Sequence, residues 1–447
     1  MLATRILKLV SAGLLLSASG LEAQVGSATP SVPVPGARNT ATVTLTLADA
    51  IARAKSNAPQ FQAALTGLGL AREDRIQARA ALLPSVNYST TFIYTQPNGS
   101  ASGAFIANNG AHEYISQGIA HEALGFGSLP DYQRSKAAQA LAKAKAEIAA
   151  RGLVVTVVQA FYGLLAAQAK TGDTAQASGE AQHFLDISKK LESGGEVAHS
   201  DVIKAQIQAN DLQRQVQDTK LAEDRARLAL AVLVFPNFFQ DFALVNDLAA
   251  APALPPLPDV QEMAKKNNPE LGAALAGLQV ADKEVTVARA GHLPTLTVDW
   301  FYGIDANQFA TEDRIGNRNL GYSAVATLNI PIFNWGATQS KVRQAELQRH
   351  QAQVELSAAQ RQALADLQSF YSEAETSGAQ LDTLRESSEL AAESVRLTNL
   401  RYQAGEATAL EVVDAQNTLT TARNAYHDGE VRYHLAIANL QTLTGTF

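Results

Sequence analysis

The stretch DAIARAKSNAPQFQAALTGLGLAREDRIQARAALLP, Asp49–Pro84, returns as DVQEMAKKNNPELGAALAGLQVADKEVTVARAGHLP, Asp259–Pro294. The two align without a gap at an offset of 210 residues. Asn57 falls on Asn267, Pro59 on Pro269, Ala63-Ala64-Leu65 on Ala273-Ala274-Leu275, Ala78-Arg79-Ala80 on Ala288-Arg289-Ala290, and Leu83-Pro84 on Leu293-Pro294. A match at fixed period marks a duplicated structural unit. The same offset returns far downstream, where Gly195-Glu196 meets Gly405-Glu406 and Ala205-Gln206 meets Ala415-Gln416. Between these blocks Phe161-Tyr162 and Phe370-Tyr371 align at 209, so one residue has been gained or lost. The chain therefore divides into a first repeat, 44–248, and a second, 249–447, joined at the Pro-rich stretch Ala249–Pro258.

Each repeat reads as a helical segment, two strands and two long helices. Proline disfavours α conformation in the residue before it, so Pro84 and Pro294 close the helical segments. Beyond them the pattern has period two, which means strand. Val86, Tyr88, Thr90, Phe92 and Tyr94 alternate with Asn87, Ser89 and Thr91, while Leu296, Val298, Trp300 and Tyr302 alternate with Thr295, Thr297 and Asp299. Strands are expected at about 84–96 and 113–124, then 294–305 and 320–332, with the second poorly patterned around Gln117 and His121. An apolar aromatic face opposite a polar one suits a membrane barrel with lipid outside and water inside. It also suits the edge of a soluble β-sandwich. Four strands cannot close a spanning barrel, whose smallest examples have about eight, so a barrel would need several chains.

Residues 128–192 and 337–403 are rich in Ala, Gln, Glu, Lys, Arg and Leu and lack proline after Pro130, which predicts helix. At ~1.5 Å per residue such helices extend roughly 100 Å, a length suited to a tunnel or coiled coil. In the last helix Val412, Ala415, Leu419, Ala422, Tyr426, Gly429, Tyr433, Ala436, Leu440 and Leu443 step by 3 and 4, a coiled-coil seam. A core stripe in a soluble bundle has the same spacing.

At the N-terminus, Arg5 and Lys8, the apolar run Leu9–Leu16 and small residues through Ala23 read as a signal peptide over 1–23, with Gly20 as a rival cleavage point. Residues 24–43, rich in Ser, Thr, Pro and Gly, read as a flexible linker. Beyond residue 23 no run approaches the ~18 apolar residues of a spanning helix. The chain has no cysteine, which excludes disulfides and thiolate metal sites. A formal charge of −7 offers no basic face for nucleic acid. With no H-E-x-x-H, G-x-S-x-G or P-loop, no catalytic constellation, cofactor site or metal site assembles, and His121-Glu122 reads as a polar pair at a rim or lumen.

The duplicated plan resembles the TolC-type outer-membrane factor family over residues 45–447. The pieces that carry the resemblance are Arg401-Tyr402-Gln403-Ala404-Gly405 followed by Glu411-Val412-Val413-Asp414-Ala415-Gln416, and Ile330-Pro331-Ile332-Phe333 followed by Gly336. The resemblance implies a mainly α fold with a small β contribution, assembled as a homotrimer with a shared twelve-stranded barrel and a helical periplasmic tunnel. It further implies an outer-membrane exit duct that takes substrates from a periplasmic adaptor and an inner-membrane transporter. A soluble periplasmic coiled-coil adaptor or scaffold is the competing reading.

On this plan Tyr88, Phe92, Val298, Trp300 and Tyr302 face lipid, while Ser89, Thr297 and Asp299 face the lumen. The turns at Gly195-Glu196 and Gly405-Glu406 lie at the periplasmic tips and receive the adaptor, far from the barrel loop at Asn98–Asn109. Glu411 and Asp414, three apart on one helix face, match the positions where the family sets acidic rings at the tunnel entrance. Asp201, the counterpart of Glu411, is expected to accept a hydrogen bond from Tyr402. Ala407 stands where some members carry a locking arginine, so it supplies no cation to this network and weaker closure than in those members is expected.

Overall fold

A computed structural model describes residues 43–95, 112–248, 250 and 252–446. The signal peptide, the linker up to residue 42 and the loop Asn98–Asn109 lie outside the described residues. The first repeat contains β1 (Val43–Leu45), α1 (Leu47–Asn57), α2 (Pro59–Ala80), β2 (Ser85–Tyr94), β3 (His112–Gly125), α3 (Ser128–Ser193), α4 (His199–Val234) and β4 (Phe242–Leu244). The second contains α5 (Leu257–Asn267), α6 (Pro269–Ala290), β5 (Thr295–Ala306), β6 (Leu320–Asn329), α7 (Ala337–Gln403) and α8 (Ala409–Thr444).

Local chemistry sets these boundaries. Pro59 and Pro269 open α2 and α6, where a missing N–H costs nothing. Thr46 and Asp49 form a capping box on α1. The repeated asparagines act alike, since the Asn57 side-chain amide donates to the Val234 carbonyl at 2.7 Å and that of Asn267 to the Thr444 carbonyl at 3.0 Å. Each satisfies a last-turn carbonyl of a long helix.

β2, β3, β5 and β6 form an antiparallel sheet in that order, and β1 pairs parallel with β4. Register puts Val86, Ala120, Trp300 and Ala324 in one row and Tyr88, Gly118, Tyr302 and Tyr322 in another. This face is bare in the single chain, with Val86 79% exposed. The opposite face carries Ser89, Gln117, Thr297, Asp299 and Asp305. Here His121 Nδ1 lies 2.6 Å from Asp299 Oδ1, and the Gln117 amide donates to Asp305 at 3.4 Å. β3 escapes clean alternation because Ser116 stands on the apolar face, where the Tyr88 and Thr90 hydroxyls meet its Oγ at 2.7 and 3.1 Å. β6 ends at Asn329, before Pro331, which lacks a ladder donor. His121 and Glu122, as neighbours in a strand, point to opposite faces and cannot share a ligand.

Both long helical pairs are antiparallel hairpins, and α3 packs against α2 and α4 of its own repeat and against α6 and α8 of the second. The core near the β1–β4 sheet gathers Leu45, Val154, Val157, Phe161, Leu164, Leu230, Val234 and Phe242. One sequence expectation is corrected here: α3 contains an 18-residue window of mean hydropathy 1.7, apolar enough to cross a membrane. Val154, Val157, Val158, Phe161, Tyr162, Leu164 and Leu165 of this helix lie in this core, so core packing accounts for them. The seam positions of α8 are buried or half-buried against α7 and α3. Its glycine admits a close neighbour, since a Cβ on Gly429 would stand 2.7 Å from Leu384 Cδ1; likewise a Cβ on Gly378 would stand 2.9 Å from the Tyr433 ring.

Candidate functional site

The two hairpin turns are built alike. Gly195 and Gly405 both have φ of +77°, the left-handed conformation that glycine takes without steric cost. At the first turn the Glu196 N–H bonds the Leu191 carbonyl at 2.9 Å and the Gly195 N–H bonds that of Glu192 at 2.8 Å. At the second, Glu406 bonds Arg401 at 2.8 Å and Gly405 bonds Tyr402 at 3.0 Å. These are paired Schellman closures, which satisfy the last carbonyls of α3 and α7 and turn the chain sharply. Glu196 and Glu406 are left exposed at the apices.

Below the second turn the acidic residues divide. Glu411 is tied into its own helix start. Its Oε1 accepts from the Thr408 N–H and hydroxyl, both at 3.1 Å, and the Glu411 N–H returns a bond to Thr408 Oγ1 at 3.3 Å. Its Oε2 lies 3.6 Å from Arg401 Nη1. Bonds from Thr408, reinforced by the Arg401 charge, hold the Glu411 carboxyl below the usual glutamate range. Asp414 is exposed on the same side of α8 and has no ion-pair partner among the described residues.

One expectation needs correction. Tyr402 does not reach Asp201: it is 2% exposed, its ring meets Phe184 edge-on at 4.9 Å, and its hydroxyl lies 3.0 Å from Ser188 Oγ. Asp201 instead accepts from Lys204 at 3.2 Å. Burial among Phe184, Leu185, Val202, Leu212 and Val412 turns Tyr402 inward, so it pins the two hairpins together. Although Ala407 supplies no cation, Arg401 reaches back over the turn to Glu411 and donates to the Glu406 carbonyl at 3.1 Å. Arg401 stood in the quoted motif, and only the turn geometry revealed its target.

Farther along the hairpins lies a polar clasp that sequence reasoning missed. Asp173 of α3 takes Arg423 at 3.3 Å and His427 Nε2 at 2.9 Å, while His427 Nδ1 meets buried Glu430 at 3.2 Å. Beside it Lys170 bonds Asp428 at 2.6 Å. With hydrogen bonds to Asp173 and then Glu430, the His427 pKa is raised to about 9, so the ring is a cation donating from both nitrogens. Arg423, His427 and Glu430 share one helix face by their spacing. Asp173 is 254 residues from His427, and no local signal joins them. Among the described residues no cluster of His, Asp and Glu could hold a metal ion.

The family model described as outer membrane efflux protein matches residues 260–446. The chain is similar to outer membrane protein TolC of Vibrio cholerae, 25% identical over 406 residues covering 90% of both chains. It is also similar to the alkaline protease secretion protein AprF of Pseudomonas aeruginosa, 24% identical over 410 residues, 90% of this chain and 84% of that one. Among solved structures it resembles the Campylobacter jejuni CmeC outer membrane channel, with a TM-score of 0.78, 18% identity, and coverage of 89% of this chain and 85% of that one.

Proposed function

We propose that the chain is a member of the outer membrane efflux protein family, whose model matches residues 260–446, and that it acts as a homotrimer whose entrance is set by Glu411, Asp414 and Arg401. It is an exit duct of the outer membrane, with a long periplasmic helical extension. The observation that carries the reading is a four-stranded sheet with one bare apolar face, set at the end of helices 66 and 67 residues long. A soluble scaffold would leave Val86, Tyr88, Phe92, Trp300, Tyr302 and Tyr322 in water together. Three copies would supply twelve strands, enough to close a barrel around a lumen lined by Ser89, Thr297 and Asp299.

In this assembly Tyr88, Phe92, Val298, Trp300 and Tyr302 meet lipid. Placing Arg at 298 costs ~2–4 kcal/mol at mid-membrane, so Val298→Arg is expected to impair trimer assembly while Thr297→Arg is tolerated. The tips at Gly195-Glu196 and Gly405-Glu406 receive a periplasmic adaptor, which joins the duct to an inner-membrane transporter. Cysteines placed at Glu196 or Glu406 are expected to cross-link to that adaptor.

At the entrance Asp414 is the freer carboxylate, while Glu411 is partly neutralised by Arg401. Converging carboxylates attract cations and are plugged by multivalent ones. Single-channel current in planar bilayers tests this as a trivalent cation is added on the periplasmic side. Asp414→Asn should abolish most of the block and Glu411→Gln less; equal response of both variants and the wild type would place the entrance elsewhere.

A further inference from the structure

We infer that His121 and Asp299 form, in three copies, a pH-responsive ring of charge at the inner end of the barrel lumen, and that this ring sets how strongly the duct prefers cationic over anionic solutes, separately from its entrance. This rests on the homotrimeric duct proposed above.

Side-chain direction alternates along a strand, so the face opposite Tyr88, Trp300 and Tyr302 can be read residue by residue. The four strands β2, β3, β5 and β6 contain no Lys or Arg on either face. On the lumen face the charged and titratable residues are Glu113 and His121 of β3 and Asp299 and Asp305 of β5, while β2 and β6 bring none. His121 is therefore the one group on this face, among the described residues, that can turn cationic.

Register places His121 directly opposite Asp299, with Nδ1 2.6 Å from Oδ1. The two side chains are 44% and 24% exposed, so the pair is open to the lumen rather than sealed in a core. On its other side His121 faces uncharged Ser85 of β2. Glu113 and Asp305 stand farther out along the sheet, where the Gln117 amide donates to Asp305. Asp299 is thus the charged neighbour that faces His121 from the adjoining strands. β3 ends at Gly125 and α3 begins at Ser128, so the pair sits close to where the helical tunnel opens into the barrel.

Histidine is the side chain that changes charge between about pH 5 and 8. With a neutral imidazole each pair presents the single negative charge of its carboxylate; with an imidazolium the pair is neutral. Twelve strands ~4.8 Å apart and tilted ~40° enclose a backbone radius of roughly 12 Å. The ring therefore stands about one Debye length from the axis, ~8–10 Å at ordinary salt. At that range three charges change the local concentration of a monovalent ion by about twofold. Lumen charge then acts on every solute that leaves, whatever the entrance has admitted.

Reversal potentials of the purified trimer in planar bilayers under a KCl gradient test this at about pH 8 and about pH 5.5, the range over which histidine changes charge. On acidification the wild-type preference for K+ over Cl− should fall by about twofold or more. His121→Gln should hold the high preference at both pH values, and His121→Lys, with its fixed cation, the low one. Asp414→Asn should lower the preference through the entrance and keep the fall on acidification. A fall that persists in His121→Gln, or a His121→Lys channel that matches the wild type at the higher pH, overturns the ring and leaves the duct standing. Trimers that conduct no ions at all would overturn the duct reading itself.

Discussion

The two hairpins, α3–α4 and α7–α8, share a turn and differ in the chemistry around it. Both close on a left-handed glycine with the same pair of carbonyl bonds. After the turn, α8 starts on a capping box from Thr408 and Glu411 with Arg401 alongside, whereas α4 starts on Ala198, which caps nothing. Farther up, α8 carries Arg423, His427 and Glu430, whose mates on α4 are Gln213, Gln217 and Lys220. The backbone solution is common to both halves because a sharp reversal between antiparallel helices allows few geometries. Charge is distributed unequally because it serves particular neighbours, and those differ between the halves.

The largest expected effect tests whether the hairpins are pinned to each other near the tips. Phe184 is 2% exposed and packs against Tyr402. Phe184→Ala should cost about 3–5 kcal/mol, the range for aromatic truncation in a core, measured by denaturant unfolding of the detergent-solubilised protein. A loss below about 1 kcal/mol, the scale of an ordinary surface change, would mean that the hairpins are held elsewhere.

An intermediate effect tests the clasp. His427 has its pKa raised from 6.5 to about 9. Its contribution to stability is fully present below the unfolded value and is lost as pH rises through about 9. Wild-type stability should therefore decline between pH 7 and 10, and His427→Gln should flatten that decline. Asp173→Asn should lower the histidine pKa, visible as an earlier shift of its ring proton resonances. An unchanged pH profile in both variants would show that the clasp carries no charge.

The smallest effect compares the helix starts. Thr408→Ala should cost about 1 kcal/mol through loss of the N-cap, and Ala198→Ser should stabilise α4 by a fraction of that. Hydrogen exchange of the first-turn amides in α4 and α8 reads both changes. Equal protection of the two starts in the wild type would remove the asymmetry.

Much of the architecture was legible from residues alone. The 210-residue offset located two copies of one plan, and period-two alternation after Pro84 and Pro294 marked strands because side-chain direction alternates whatever the partner. Gly195 and Gly405 announced left-handed turns, and the 3–4 spacing in α8 marked positions from Val412 to Leu443 that are buried or half-buried. β3 was harder to read, since Ser116 on its apolar face is satisfied by Tyr88 and Thr90, residues that only pairing brings near.

Tertiary structure alone decided the rest. Tyr402 was assigned to Asp201 by repeat logic, yet packing around Phe184 turns it to Ser188. Arg401 reaches Glu411 only because the turn folds α7 back beside the start of α8. Asp173 finds His427 through a helix contact that neither sequence neighbourhood encodes. Periodicity and backbone propensity are local, so the sequence by itself determined the duplicated elements and the faces they bury. The partners of a charged or hydroxyl group depend on which helices meet and in what register, and that emerged only when the long hairpins packed together.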